Sequence, residues 1–135
     1  MSHPPEDTPE NRQRQERGLR AHLSGELAEA QVARHYEALG FVCRETRWRG
    51  PYGEIDLIME GSCLAFVEVK RARTFAQAAP RLAPAQVARI GRAALDYIAR
   101  HPDLRLKPMR FDLALVDGKG EIRLIPDAFR FDQGV

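Results

Sequence analysis

The residue pattern predicts an α/β domain, with a central mixed five-stranded sheet flanked by helices. Three observations lead there. Helix and strand periodicities follow one another in the order α-β-β-β-α-β-β. The runs Leu57-Ile58-Met59 and Leu64-Ala65-Phe66-Val67 are apolar without interruption, as in strands covered on both faces. Five strands in one sheet would bury the central hairpin, where Asp56 and Glu68 lie.

Residues 1–18 are polar and contain Pro4, Pro5 and Pro9, so a disordered tail is expected there, with residues 19–135 forming the domain. Arg12, Arg14, Arg17 and Arg20 could act as a loose basic arm on a phosphate backbone. Glu6, Asp7, Glu10 and Glu16 largely cancel that charge, and a solubilising tail is preferred. Ser24 as N-cap and Gly40 as the C′ residue bracket a helix ending at Leu39. Ala30 and Ala33 lie near the angular position of Glu26, with Leu27 and Tyr36 flanking. That places Glu26 at the sheet-facing edge of the first turn, within reach of Asp56. For Glu26 taken alone, and for Glu29, complementing the helix dipole is the plainer role.

Phe41 to Arg47 reads as the first strand, with Phe41 and Cys43 inward. Trp48-Arg49-Gly50-Pro51-Tyr52-Gly53 combines aromatics, an arginine and glycines. Bases stack on aromatics while arginine contacts phosphate; Trp48 and Tyr52 could equally pack on the sheet edge. Gly61-Ser62 marks a turn between the next two strands. A three-residue loop, 61–63, pairs Glu60 with Leu64, Ile58 with Phe66, Asp56 with Glu68 and Glu54 with Lys70. It gathers Glu54, Asp56, Ile58 and Glu60 on one face, opposite Ile55, Leu57 and Met59. A one-residue slip would flip that set, and this register is preferred.

Two carboxylates paired in this way have Cβ atoms roughly 4.5–5.5 Å apart and repel. A shared proton, a cation or Lys70 must offset the repulsion. Carboxylate oxygens suit Mg²⁺ or Mn²⁺. Lys70, two residues beyond Glu68, shares its face and can orient a water or stabilise charge on a phosphate. The alternative is one solvated sheet face. It fits poorly, since charges in a strand covered on both sides need a reason.

Glu-Ile-Asp-Leu-Ile (54–58) followed by Phe-Val-Glu-Val-Lys (66–70) resembles the Asp…Glu-x-Lys core of restriction-endonuclease-like nucleases. With Gly25-Glu26 and Arg110-Phe111-Asp112, the chain is most similar to the YraN-like family of small bacterial proteins, itself similar to archaeal Holliday-junction resolvases. The resemblance runs from about Gly18 to Phe131. It implies the restriction-endonuclease-like fold and a metal-dependent nuclease acting on DNA, branched or damaged DNA included. Asp56 and Glu68 would bind the ion, with the Val69 carbonyl as a further ligand. Glu26 would join directly or through water, and Lys70 would assist the attack. A homodimer follows only by analogy with two-fold junctions.

Arg71 and Arg73, with Arg81, follow Lys70 in a loop suited to a polyanion; arginines at a strand end are also ordinary surface. Pro84 opens the second helix, to Arg100, with the stripe Val87, Ile90, Ala94, Tyr97 and Ile98. Gln86 near its start stands where relatives of this type carry lysine, so a phosphate contact there keeps a hydrogen bond and loses a charge. Phe75-Ala76 likewise replaces Phe-Gly. Met109–Val116 and Glu121–Ile125 read as the last strands around an Asp117–Gly120 turn, and 126–129 as a closing turn packing Phe129. Asp112 reads as the structural partner of Arg110.

The composition is that of a globular chain, 44% apolar with net charge +2, so bulk charge does not announce nucleic acid. No apolar run is long enough to span a membrane, and the N-terminus lacks a signal-peptide core. Cys43 and Cys63 read as reduced thiols, and a cytoplasmic location is expected. His3, His22, His35 and His101 have no ligand spacing. Two other functions compete with the nuclease: a nucleic-acid-binding module on the same fold with weak or lost chemistry, and a scaffold whose tail recruits a protein.

Overall fold

The computed structural model describes residues 8–77 and 82–131, with the backbone alone for 18–24. Residues 1–7, Arg81 and the side chains of Arg20 and Ser24 lie outside that description. The order is α1 (Pro9–Ala38), β1 (Val42–Gly50), β2 (Gly53–Glu60), β3 (Leu64–Arg71), α2 (Pro84–Arg100), a short 3-10 helix (Pro102–Leu104), β4 (Met109–Val116) and β5 (Ile122–Ile125). The strands lie side by side as β1-β2-β3-β4-β5. β3 and β4 are parallel and the other neighbours antiparallel, so α2 is the crossover between the parallel pair. This is the mixed five-stranded sheet expected.

The first helix differs from expectation at its start. It begins at Pro9 rather than Ser24 and takes in residues read as tail. The Thr8 hydroxyl accepts the Asn11 N–H at 3.1 Å, and Pro9 occupies the first helical position. From Pro9 to Arg17 every side chain is exposed, so no apolar stripe advertises this part of the helix. At the other end Gly40 has φ +95°. Its N–H bonds to the Glu37 carbonyl, and that of Phe41 to the Tyr36 carbonyl, a Schellman closure.

Each face of the sheet carries one helix. Ala28, Val32 and Tyr36 of α1 pack on Leu57, Met59, Ala65, Val67 and Ala114. Ile90, Ala93, Ala94 and Tyr97 of α2 pack on Ile55, Ile58, Leu64 and Phe66. The closing turn packs Phe129 on Phe111 and donates the Ala128 N–H to the Phe111 carbonyl. Cys43 and Cys63 are free thiols. Among the described residues no helix is long and apolar enough to cross a membrane.

Asp112 is fully buried on the α1 side. It accepts two bonds from Arg110 at 2.8 Å, one from the Tyr36 hydroxyl at 2.7 Å and one from the Asp127 N–H at 3.0 Å. A buried charge so fully matched is structural. Asp112→Ala should cost about 3 kcal/mol, the low end for a broken buried pair because Arg110 keeps some water. Tyr36→Phe should cost about 1–2 kcal/mol. Urea unfolding checks both, and an unchanged midpoint for Asp112→Ala would refute the assignment.

Candidate functional site

The hairpin of β2 and β3 has the three-residue loop: Glu60 pairs with Leu64, Ile58 with Phe66 and Leu57 with Val67. There the ladder stops. β2 stays with β1 as far as Gly50–Gly53, and β3 stays with β4 as far as Arg71–Val116. The sheet therefore opens between β2 and β3, and the expected ladder pairs of Asp56 with Glu68 and Glu54 with Lys70 do not form. A strand N–H points sideways toward its neighbour. That of Val69 finds the Asp56 carboxylate at 2.8 Å instead of a β2 carbonyl. On β2, the Glu54 carbonyl accepts Arg89 Nη1 of α2 at 3.0 Å. These two backbone groups beside the opening are thus satisfied by side chains. Gly53 makes this possible, since a Cβ there would lie 2.6 Å from Arg89 Nη1.

The opening also reverses the alternation of β2. Ile55 joins Ile58 on the α2 face, whereas a regular strand would set it with Leu57 and Met59 on the α1 face. The change occurs at Asp56. On β1, Thr46 pairs with Leu57 and Trp48 with Ile55, which sets Arg47 across from Asp56. Arg47 has φ 49°, a left-handed backbone uncommon for a residue with a side chain. Its guanidinium turns toward α1, 2.7 Å from Glu29 Oε2 and 3.6 Å from Glu26 Oε1.

The two acids of the hairpin meet at the opening. Their carboxyl groups are close enough to share a proton. Glu68 Oε1 lies 3.4 Å from Gln86 Nε2, and Glu68 Oε2 is buried with no donor from the described residues. Burial first, then the charge of Asp56 and the bond to it, push the Glu68 pKa up to about 8, against the opposing pull of Arg89 and Lys70. Burial raises Asp56 as well, while the Val69 N–H and the bond from Glu68 hold it down. Of the two, Glu68 is the acid pushed further toward its protonated form. Glu60, on the same hairpin, is the contrast. Lys107 at 2.9 Å and Arg44 at 2.8 Å hold its pKa below the usual range.

Glu26 faces Arg47 rather than the sheet interior. The sheet-facing stripe of α1 runs through Ala28, Val32 and Tyr36 rather than centring on Ala30. This leaves the Glu26 side chain 52% exposed and Glu29 only 13% exposed. Burial raises the Glu29 pKa, and Arg47 counters it. Lys70 follows Glu68 on the same face, half-buried and close enough for its charge to be felt there. Val69 meets Asp56 through its N–H. Arg49 lies on the edge strand with its side chain 80% exposed, 3.7 Å from Glu54. Arg71 and Arg73 are exposed beyond the end of the opening. Trp48 packs edge-on against Tyr97, with ring centroids 5.3 Å apart, which decides for packing; Tyr52 remains exposed. Sequence reasoning missed Arg47, Glu29 and Arg89. The i+3, i+4 and i+7 spacing of Glu29 to Val32, Ala33 and Tyr36 is the pattern that points Glu29 inward.

Among the described residues no third histidine, cysteine or carboxylate completes a metal-binding cluster. Mg²⁺ keeps several waters and needs only one or two protein carboxylates. The Asp56–Glu68 pair, with one buried oxygen lacking a donor, fits that requirement.

The family model for "Uncharacterised protein family UPF0102" matches residues 28–116. The chain belongs to the UPF0102 family. A UPF0102 protein of Ruegeria pomeroyi is 50% identical over 114 residues, covering 84% of this chain and 93% of its own. One of Dinoroseobacter shibae is 48% identical over 119 residues, covering 87% and 89%. One of Cereibacter sphaeroides is 46% identical over 110 residues, covering 81% and 94%. Asp56, Glu68, Lys70 and Gln86 all fall within the region matched to UPF0102.

The protonated Glu68 has a consequence for stability. From about pH 4.5 to about pH 8 the unfolded chain releases this proton and the folded chain keeps it. The contribution is thus fully present at low pH and is lost as pH climbs to about 8. In metal-free buffer Glu68→Gln should remove this loss. Its stability relative to wild type should rise from pH 5 to pH 8, as measured by urea unfolding. A difference independent of pH would contradict the protonated pair.

Proposed function

We propose that this UPF0102 protein is a divalent-cation-dependent nuclease that hydrolyses phosphodiester bonds in DNA. The observation that carries this reading is the buried Glu68 Oε2, without a donor among the described residues, beside a second carboxylate held in place by a backbone N–H. An acid pair that retains a proton for want of a cation is suited to exchange that proton for Mg²⁺ or Mn²⁺. When bound, such an ion polarises the scissile phosphate as a Lewis acid.

The chain supplies the rest. Asp56 and Glu68 present oxygens at the opening of the sheet, and Val69 fixes the direction of Asp56. Gln86 and Arg89, on the first turns of α2, stand on the Glu68 side. The Lys70 amine orients the attacking water or stabilises the charge growing on the pentavalent phosphorus. The water oxygen bonds to phosphorus, the ester bond opposite breaks, the proton of the water passes to solvent and the leaving oxygen takes one up. Arg49, Arg71, Arg73 and Gln86 serve the flanking phosphates.

One observation favours a second reading, a nucleic-acid-binding module with weak or no chemistry. Gln86 brings a neutral amide, not an ammonium, to Glu68. Salt-sensitive binding to branched DNA without turnover would mark that case.

Labelled duplex, flap and four-way-junction DNAs incubated with the protein and Mn²⁺ test the proposal. Wild type should cut at least one of them, Asp56→Ala and Glu68→Gln should abolish cutting, and Lys70→Ala should slow it by ~10²-fold or more. Failure of the wild type to cut at high protein concentration would overturn the proposal. So would cutting that survives Asp56→Ala.

A further inference from the structure

A groove of about 580 Å³ opens on the α1 side, where the carboxyl ends of the parallel strands β3 and β4 meet the β4–β5 turn. Its volume lies within the range of small-molecule sites, and the carboxyl end of parallel strands is where such sites form in α/β sheets. Leu27, 62% exposed, and the buried Val116 form the apolar part of its lining. Gln31 stands on one wall, and Arg71 and Arg73, both exposed, on the other. Asp117 at the rim has an oxygen committed to the turn, accepting the Lys119 and Glu121 N–H groups at 2.9 Å.

The groove is continuous with the acid pair through arginines. A Cβ placed on Gly25 would stand 3.8 Å from the tip of Arg71 and 3.1 Å from the tip of Arg47. The two guanidiniums therefore pass the same point of α1, and Arg47 sits across from Asp56 on the neighbouring strand.

A nucleotide matches the lining part by part. A base has an apolar face and a hydrogen-bonding edge, and its phosphates are anionic. Leu27 and Val116 suit the face, the Gln31 amide offers both a donor and an acceptor to the edge, and Arg71 and Arg73 suit the phosphates. In continuous duplex a base reaches a groove only by breaking its stacking and pairing, a cost that an unpaired nucleotide does not bear. We propose that the groove between α1 and the ends of β3 and β4 holds one unpaired nucleotide next to the phosphodiester bound at Asp56 and Glu68. The substrate is then DNA with an unpaired nucleotide beside the broken bond, such as a flap or a frayed branch point, rather than uninterrupted duplex. This rests on the nuclease reading.

The test uses the full chain, a flapped duplex and a blunt duplex of the same length, with 2-aminopurine at the first unpaired position of the flap. Wild type should bind the flap more tightly and change its 2-aminopurine fluorescence. Leu27→Glu, which sets a carboxylate in the apolar part of the lining, and Gln31→Leu should each weaken flap binding by about tenfold or more. Both should leave blunt-duplex binding, Mn²⁺ affinity and far-UV circular dichroism unchanged. Equal binding of flap and blunt duplex by wild type, or full flap affinity in both variants, overturns the groove. Mn²⁺-dependent cutting of both DNAs at equal rates, unaffected by either variant, also overturns it and leaves the nuclease standing. Flap binding sensitive to both variants but without cutting supports the groove and removes the nuclease.

Discussion

Neighbouring antiparallel strands stay together because each backbone N–H finds a carbonyl opposite. β2 and β3 give this up after Leu57 and Val67, and the rest of the site follows from that parting. A backbone group left unpaired in a covered sheet costs about 1–3 kcal/mol. Asp56 takes the Val69 N–H and Arg89 takes the Glu54 carbonyl, which offsets that cost at these two groups. Asp56 is thereby a backbone partner as well as an acid, and its position is fixed. Glu68, the first residue of β3 past the ladder, is then held close to it, and burial favours its protonated form.

The other well-placed acids show what is particular about this pair. Glu60 has two cations on it, and Asp112 has every oxygen engaged. Around Glu68 the positive groups act from Lys70 and Arg89, and their pull is weaker than the push of burial and of Asp56. Positive charge thus falls short around Glu68. The strained backbone of Arg47 keeps a guanidinium nearby but directs it to Glu29. The UPF0102 match spans the opening from β1 to β4 and ends at Val116, the last residue of β4.

Much of the fold was legible because local patterns and tertiary packing agree. The α2 limits, the hairpin loop and β4 fall where apolar periodicity and turn residues put them. The start of α1 was hidden because a helix exposed all round carries no stripe, although Thr8-Pro9 is a recognisable cap. The meeting of Asp56 and Glu68 was legible from their faces and spacing; the manner of it was not. Strict alternation gives no hint that Ile55 changes sides, since the cause is the parting of two strands and not a feature of β2 alone. Ala33 was placed on the packing face correctly and Ala30 was not: Ala28, Val32, Ala33 and Tyr36 form it, which turns Glu26 toward solvent and Glu29 inward. Arg89 was beyond reach, because its partner is a backbone carbonyl that becomes available only once the strands separate.

The central claim is that Asp56 and Glu68 hold one proton between them and release it to a divalent cation. Calorimetric titration of Mn²⁺ at pH 7 in two buffers of different ionisation enthalpy measures this directly. Binding should release about one proton per ion, and Glu68→Gln should abolish the release and weaken the binding. Mn²⁺ affinity unchanged in Glu68→Gln, or binding with no proton released by the wild type, would contradict it.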